Sequence, residues 1–315
     1  SRFDADEALR DIIVMKELSS TRKIDVRAYS EADAGPQELK AKFYSFDHRL
    51  ELSDVMPMFG NFGLHVVEET GYPVRRTGFK NSRSNAGLTE TIWVHEFHMR
   101  LSFDAPDMTA LEGIFEDAFM AVVGGRNDDD PFNSLILPQG VDWRNIAMLR
   151  GLCNYRAQSG MDPLRTEQIA ALTAHPDITA SLLELLDVRF NPTLFNADKD
   201  ARLAACSQID LRINEALKTV RSLDYDRVLR RLAALIMAVQ RTSFYQVDSA
   251  GEPLPRISFK IASRELEDLP APKPYREIFV WAPHVEGLHL RFGAVARGGL
   301  RWSDRRGGYR TEVLG

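Results

Sequence analysis

From Trp143 to Tyr245 the chain runs through five segments: Trp143 to Gln158, Thr166 to Ala174, Ile178 to Phe190, Lys199 to Ser222 and Asp224 to Tyr245. Each carries apolar residues at i, i+3, i+4 and i+7. That period gathers the apolar side chains on one stripe of a helix, and stripes joined by short connections predict antiparallel helices packed on one another. Asp177, Asp198 and Asp224 stand where helix caps are expected, and Pro163 suits a first-turn position. The Leu, Ile and Met residues of these stripes are read as core.

The flanks have a different texture. Before the helical third, Ala5 to Leu18 has helical spacing, Ile24 to Ala28 alternates as a strand does, and Lys40 to Phe46 is a second strand. A helix starts near Ser53, whose hydroxyl can accept first-turn amides, and ends near Gly60 or Gly63. Leu64 to Glu68 is strand, Thr91 to Leu101 is a strand with both faces largely covered, and a helix spans Met108 to Val123. Strand, helix, strand, strand, helix is the order of a small α/β sandwich with its helices on one face of an antiparallel sheet. Gly124 to Pro131 is a turn-rich break. Beyond Tyr245, a linker (Asp248 to Pro255) leads to a strand at Ile257 to Ile261 and a stiff proline segment at Leu269 to Pro274. Two strands follow, Ile278 to Trp281 and Leu288 to Phe292, across the turn Pro283 to Gly287. The reading is an α+β chain in three parts, residues 1–130, 131–247 and 248–315.

Composition removes several function classes. Lys plus Arg number 40 against 45 Asp plus Glu, a net charge of −5, which does not fit a chain that holds nucleic acid by bulk electrostatics. The longest unbroken apolar run, Leu232 to Val239, is far short of a membrane span. Ile12 to Met15 is too short and too acidic in its flank for a secretion signal, so the expectation is a soluble, cytoplasmic protein that opens mid-helix like an excised fragment. Cys153 and Cys206 sit among apolar neighbours and read as core thiols.

Most candidate motifs dissolve on inspection. His95 and His98 are three apart in a strand and point to opposite faces, so they read as partly exposed strand histidines, not a zinc pair. His284 and His289 flank a turn without a ligand set, and Asp128 to Asp130 read as a solvated loop, so no metal site is expected. There is no GxSxG, P-loop or GxGxxG, hence no cofactor fingerprint in this chain. Positive charge concentrates at the end: Arg291 to Gly315 holds six arginines against Asp304 and Glu312, a local net of +4 that leaves −9 for the rest. Within it, Arg297-Gly298-Gly299-Leu300-Arg301 has two glycines that let backbone amides approach a ligand, bracketed by guanidiniums whose planar fork matches a carboxylate or phosphate. An anion site and a tight, salt-bridged turn both fit that run.

The run Phe279 to Gly315 (FVWAPHVEGLHLRFGAVARGGLRWSDRRGGYRTEVLG) resembles the large NAD-specific glutamate dehydrogenases of bacteria at the entry to their catalytic domain. Leu52 to Glu69, Arg231 to Gln246 and Ile257 to Pro274 are similar to the same family in the same order. The resemblance implies an ACT-like α/β sandwich over 1–130, an all-helical domain over 131–247, and the first strands of the catalytic domain over 248–315. It implies that Arg297, Gly298, Gly299 and Arg301 line the substrate pocket and meet a carboxylate of L-glutamate or 2-oxoglutarate. Smaller relatives usually have lysine where this chain has Arg297, so the pose is expected to differ. The catalytic lysine, the proton-transferring aspartate and the NAD domain are expected further along the parent, so no catalytic, cofactor-binding or metal residue is assigned here and the fragment alone is expected to be inactive. The full-length parent is expected to be a cytoplasmic homo-oligomer using NAD, with neither nucleic acid nor membrane as partner. The arginine segment is expected to be unordered without its packing partners. In ACT modules a glycine is common at the strand-to-helix turn; Asp47-His48-Arg49-Leu50 stands there instead, with a leucine that would block a ligand. A structural or oligomerising role is therefore favoured over the alternative, an amino-acid-sensing regulatory module.

Overall fold

The computed structural model describes residues 5–31, 34–79, 88–105, 107–162, 164–295, 297–304 and 308–314. Its contacts divide into two units, 1–124 with 129–142, and 125–128 with 143–315. In the first unit β1 (Ile24–Tyr29), β2 (Glu38–Phe46), β3 (Leu64–Phe79) and β4 (Leu88–Leu101) form an antiparallel sheet in the order β1-β2-β4-β3. Successive side chains of a strand point to opposite faces, so Leu39, Ala41 and Phe43 share one face of β2 while Lys42 and Tyr44 share the other. Two helices, α2 (Leu52–Asn61) and α3 (Met108–Val123), cover the first face. They bring Phe59, Phe115 and Phe119 against Phe43 and Phe97, with ring centroids 4.8 to 6.4 Å apart, mostly edge to face.

The other face is not bare. Helix α1 (Ala5–Glu17) lies on it, with Val14, Met15 and Leu18 against Tyr44, Ile92 and Val94. The sequence pattern placed helices on one face only; α1 crosses the opposite one because its acidic residues match a basic position of the sheet. The Nζ of Lys42, fully buried, donates to Glu7 Oε1 at 2.8 Å and Asp11 Oδ2 at 2.8 Å, and the Tyr44 hydroxyl donates to Asp11 Oδ1 at 2.6 Å. Arg27 completes the cluster on Glu7 and Asp11. A buried ammonium is tolerated only when paired in this way.

Three local expectations change. Helix α2 begins at Leu52 after Glu51, and the Ser53 hydroxyl bonds Asp54 Oδ1 at 3.3 Å instead of capping. His95 is fully buried, with Nδ1 2.7 Å from Glu69 Oε1. It faces Gly71 on β3, where a Cβ would lie 3.0 Å from its Nδ1, so the glycine makes room for the imidazole. The aspartate run is only partly solvated: Asp130 caps a short 3-10 turn (Pro131–Leu135) by accepting from Phe132 N at 3.1 Å, and Asp129 accepts from Asn61 at 2.8 Å. Helix α4 (Ile136–Gln139) ends this unit.

The second unit is built on α5 (Trp143–Ser159), buried on nearly every side. Helices α6 (Arg165–Ala174), α7 (Pro176–Phe190), α8 (Lys199–Leu217) and α9 (Leu223–Ala238) follow. Asp198 caps α8 as expected, accepting from Asp200 N and Ala201 N at 3.0 Å. Asp177 and Asp224 sit inside first turns, α9 being capped by Ser222; Pro163 lies outside the described residues, and the first-turn proline is Pro176. The last predicted helix is cut short at Ala238, where β5 (Val239–Thr242) begins. A continuous apolar run carries no helical period at its end, and pairing of Val239 with Ile261 decides the conformation. With β6 (Ile257–Ile261), β7 (Arg276–Ala282), β8 (Val285–Arg291) and β9 (Arg301–Ser303), β5 forms a second antiparallel sheet in sequence order. This sheet lies against α5, where Tyr155 meets Phe279 at 5.7 Å and Gly151 leaves no room for a Cβ, which would sit 2.9 Å from the Phe259 ring.

Candidate functional site

The anion-site candidates sit where β8 turns into β9. Leu288 pairs with Arg301 and Glu286 with Ser303, so the intervening loop carries Arg297, Gly298 and Gly299 at one end of the sheet. Gly298 has φ +79°, a left-handed conformation that glycine adopts without strain. Gly299 turns its carbonyl to His289, whose Nδ1 donates at 3.0 Å. Gly287, opposite Trp302, is a close-approach glycine: a Cβ there would meet the indole at 2.8 Å. Arg297 and Arg301 are both exposed, and among the described residues neither is engaged in an ion pair. The structure thus brings the four residues onto one loop and edge strand, with two guanidiniums open to solvent. Ala296 and residues 305–307 lie outside the described residues.

Beneath this edge is a buried polar network that the sequence did not announce. Arg310, on α10 (Tyr309–Leu314), donates to Glu277 from Nε at 3.0 Å and from Nη2 at 2.7 Å, and both side chains are almost fully buried. Gln158, at the end of α5, accepts with Oε1 from Tyr309 N at 3.0 Å and Arg310 N at 3.4 Å, and its Nε2 donates to Glu286 at 2.8 Å. The opening amides of α10 thereby find the acceptor they lack within the helix. Burial pushes the Tyr309 phenol up, and the charge of Arg301 pulls it back. Of the segment expected to be unordered, 301–303 pair with β8, and 309–314 are tied to α5 and β7 by this network. The signal for it was Glu277, a carboxylate on the same strand face as Phe279 and Trp281. Its partner, 33 residues away, had no local signature.

The remaining candidates resolve simply. Asp128, expected in a solvated loop, is buried and accepts from His284 N at 3.2 Å, pinning the two-residue turn between β7 and β8. Among the described residues no group of three or more His, Cys, Asp or Glu is arranged to hold a metal. Leu50, at the turn between β2 and α2, is one wall of a cavity of about 310 Å³ with Val55, Met58 and Phe119, not a plug in it.

Three family models match the chain in order: the glutamate dehydrogenase ACT3 domain over residues 23–111, glutamate dehydrogenase helical motif 3 over 127–192, and the bacterial NAD-glutamate dehydrogenase catalytic domain over 212–315. The NAD-specific glutamate dehydrogenase of Pseudomonas aeruginosa is 38% identical over 315 residues, covering 100% of this chain. Those of Halomonas elongata and Mycobacterium tuberculosis are 34% and 33% identical over 99% and 98% of it. The chain spans only 19%, 18% and 18% of these relatives' own lengths. No helix among the described residues is long and apolar enough to cross a membrane. An α+β chain whose whole length matches these enzymes, with their ACT3, helical and catalytic regions in the same order, belongs to the bacterial NAD-specific glutamate dehydrogenase family as a segment of such an enzyme.

Proposed function

We propose that the full-length parent oxidatively deaminates L-glutamate to 2-oxoglutarate and ammonia with NAD, and that this segment supplies a carboxylate clamp. The observation that carries the proposal is the pair of exposed guanidiniums, Arg297 and Arg301, without ion-pair partners among the described residues and bracketing Gly298 and Gly299. In this reading a substrate carboxylate lies between the arginine forks and the amides of the glycine turn, and the charge-assisted hydrogen bonds fix the substrate's orientation. Gln158, Glu277 and Arg310 hold the adjoining α10 in place. The residues present do not fit a dinucleotide: both sheets are wholly antiparallel and the sequence lacks GxGxxG, whereas such cofactors bind at the carboxyl ends of parallel strands. The family resemblance puts the catalytic lysine, the proton-transferring aspartate and the NAD domain in other parts of the parent, and the segment alone is expected not to turn over. The division into 1–130, 131–247 and 248–315 is retained as part of the proposal, as are a cytoplasmic location and assembly into a homo-oligomer.

The test is glutamate-dependent reduction of NAD by the full-length gene product, beside Arg297→Ala and Arg301→Ala. A fall of at least about a hundredfold in folded variants is expected, the scale for losing a desolvated charge partner. Unchanged rates in both variants would remove the clamp, and an inactive, folded wild type would remove the activity.

A further inference from the structure

Arg276 and Arg291 are direct cross-strand partners on β7 and β8. Like charges placed opposite each other destabilise a sheet, so the pair needs a reason. A third guanidinium joins them: the Cζ atoms of Arg276, Arg264 and Arg291 lie 4.2, 5.6 and 6.0 Å from the centroid of the Tyr275 ring. One aromatic ring attracts cations weakly and does not neutralise three. The other contacts are to neutral acceptors. Arg276 donates from Nε to Gln240 Oε1 at 2.9 Å and from Nη1 to Tyr275 O at 2.6 Å, and Arg291 donates from Nε to Gly293 O at 3.0 Å. Among the described residues no carboxylate forms an ion pair with any of the three, and the neighbouring Glu277 is committed to Arg310.

We propose that Arg264, Arg276 and Arg291, grouped around Tyr275, form a binding site for a phosphate group, separate from the Arg297 to Arg301 run. The charge count selects the ligand. A carboxylate brings one charge and two oxygens, whereas a phosphate brings about two charges and several acceptor oxygens, enough to accept from three forks at once. A free phosphate and the phosphoryl group of a nucleotide share this chemistry. The site does not depend on the dehydrogenase reading, and its test uses no enzymatic activity.

Inorganic phosphate, pyrophosphate and a nucleoside monophosphate are titrated by calorimetry into the 315-residue chain, its Arg276→Gln and Arg291→Gln variants, and Tyr275→Phe, which keeps the ring. Saturable binding to the wild type and Tyr275→Phe, weakened at least tenfold in each arginine variant, is expected. Equal affinity for all three ligands assigns the site to the phosphate group alone, and tighter nucleotide binding assigns it to nucleotides. A second readout controls for folding. In phosphate-free buffer Arg291→Gln should melt no lower than the wild type, because a repulsion is relieved, while phosphate should raise the midpoints of the wild type and Tyr275→Phe more than those of the two arginine variants. Absence of heat and of any midpoint shift in the wild type, or undiminished affinity in Arg276→Gln and Arg291→Gln, would overturn the proposal.

Discussion

Glu277 has no exposed surface, and Arg310 faces it with two hydrogen bonds, at 3.0 and 2.7 Å. Replacing Arg310 by alanine leaves a buried carboxylate alone, a change that destabilises by about 3–5 kcal/mol. Chemical denaturation of Arg310→Ala should report a loss of this size, and the double variant Glu277→Leu with Arg310→Leu should lose less, because no charge is stranded. A single-variant loss below about 1 kcal/mol would mean that the pair is hydrated in solution. The same comparison explains what a sequence conveys at this scale. Arg297 and Arg301 were legible because two arginines bracketing two glycines form a local pattern. Glu277, Gln158 and Arg310 were not, because each is explained only by a partner that the fold brings from far along the chain.

Strand β1 lies at the sheet edge, where unpaired amides invite non-native pairing. Helix α3 covers it: Glu116 Oε1 accepts from Ala28 N at 2.6 Å, and Glu112 Oε1 accepts from the Ser30 hydroxyl at 2.7 Å. Burial pushes the Glu116 carboxyl above its usual range, against the opposing pull of the Ala28 amide. A carboxyl raised in the folded state binds its proton more tightly there than in the unfolded chain. Its contribution is therefore full at pH below the unfolded value and is lost as pH rises through the folded one. Glu116→Gln keeps an acceptor for Ala28 and removes the charge, so it should match or exceed the wild type in thermal midpoint at pH 7 and lose that advantage at acid pH. An advantage that grew on acidification would contradict the sign. Elements were legible where one period ran uninterrupted, as in α3 from Met108 to Val123. The sequence reading ended β3 at Glu68, yet the strand continues past Gly71 and Pro73 to Phe79: it is the other edge of its sheet, where a proline removes no needed donor.

Over the whole molecule, the order of textures along the chain was readable, and the stitching between distant segments was not. The segment that holds the six arginines after Leu290 was expected to be unordered, yet α10 returns to α5 and β7. Ending the chain at Phe292 should therefore lower the melting midpoint more than Arg310→Ala does, since Gln158 loses its two amides together with the ion pair. Calorimetry of the shortened chain checks this, and equal midpoints would mean that α10 contributes nothing beyond Arg310. The tie between Gln158 and Tyr309 also has a consequence in time. On a ribosome adding about 5–20 residues per second, Gln158 emerges roughly 8 to 30 s before the amides it caps. During that interval α5 waits with a polar edge uncovered, so this unit closes only after Arg310 has emerged, and this stretch of the nascent chain is most open to chaperones just before then.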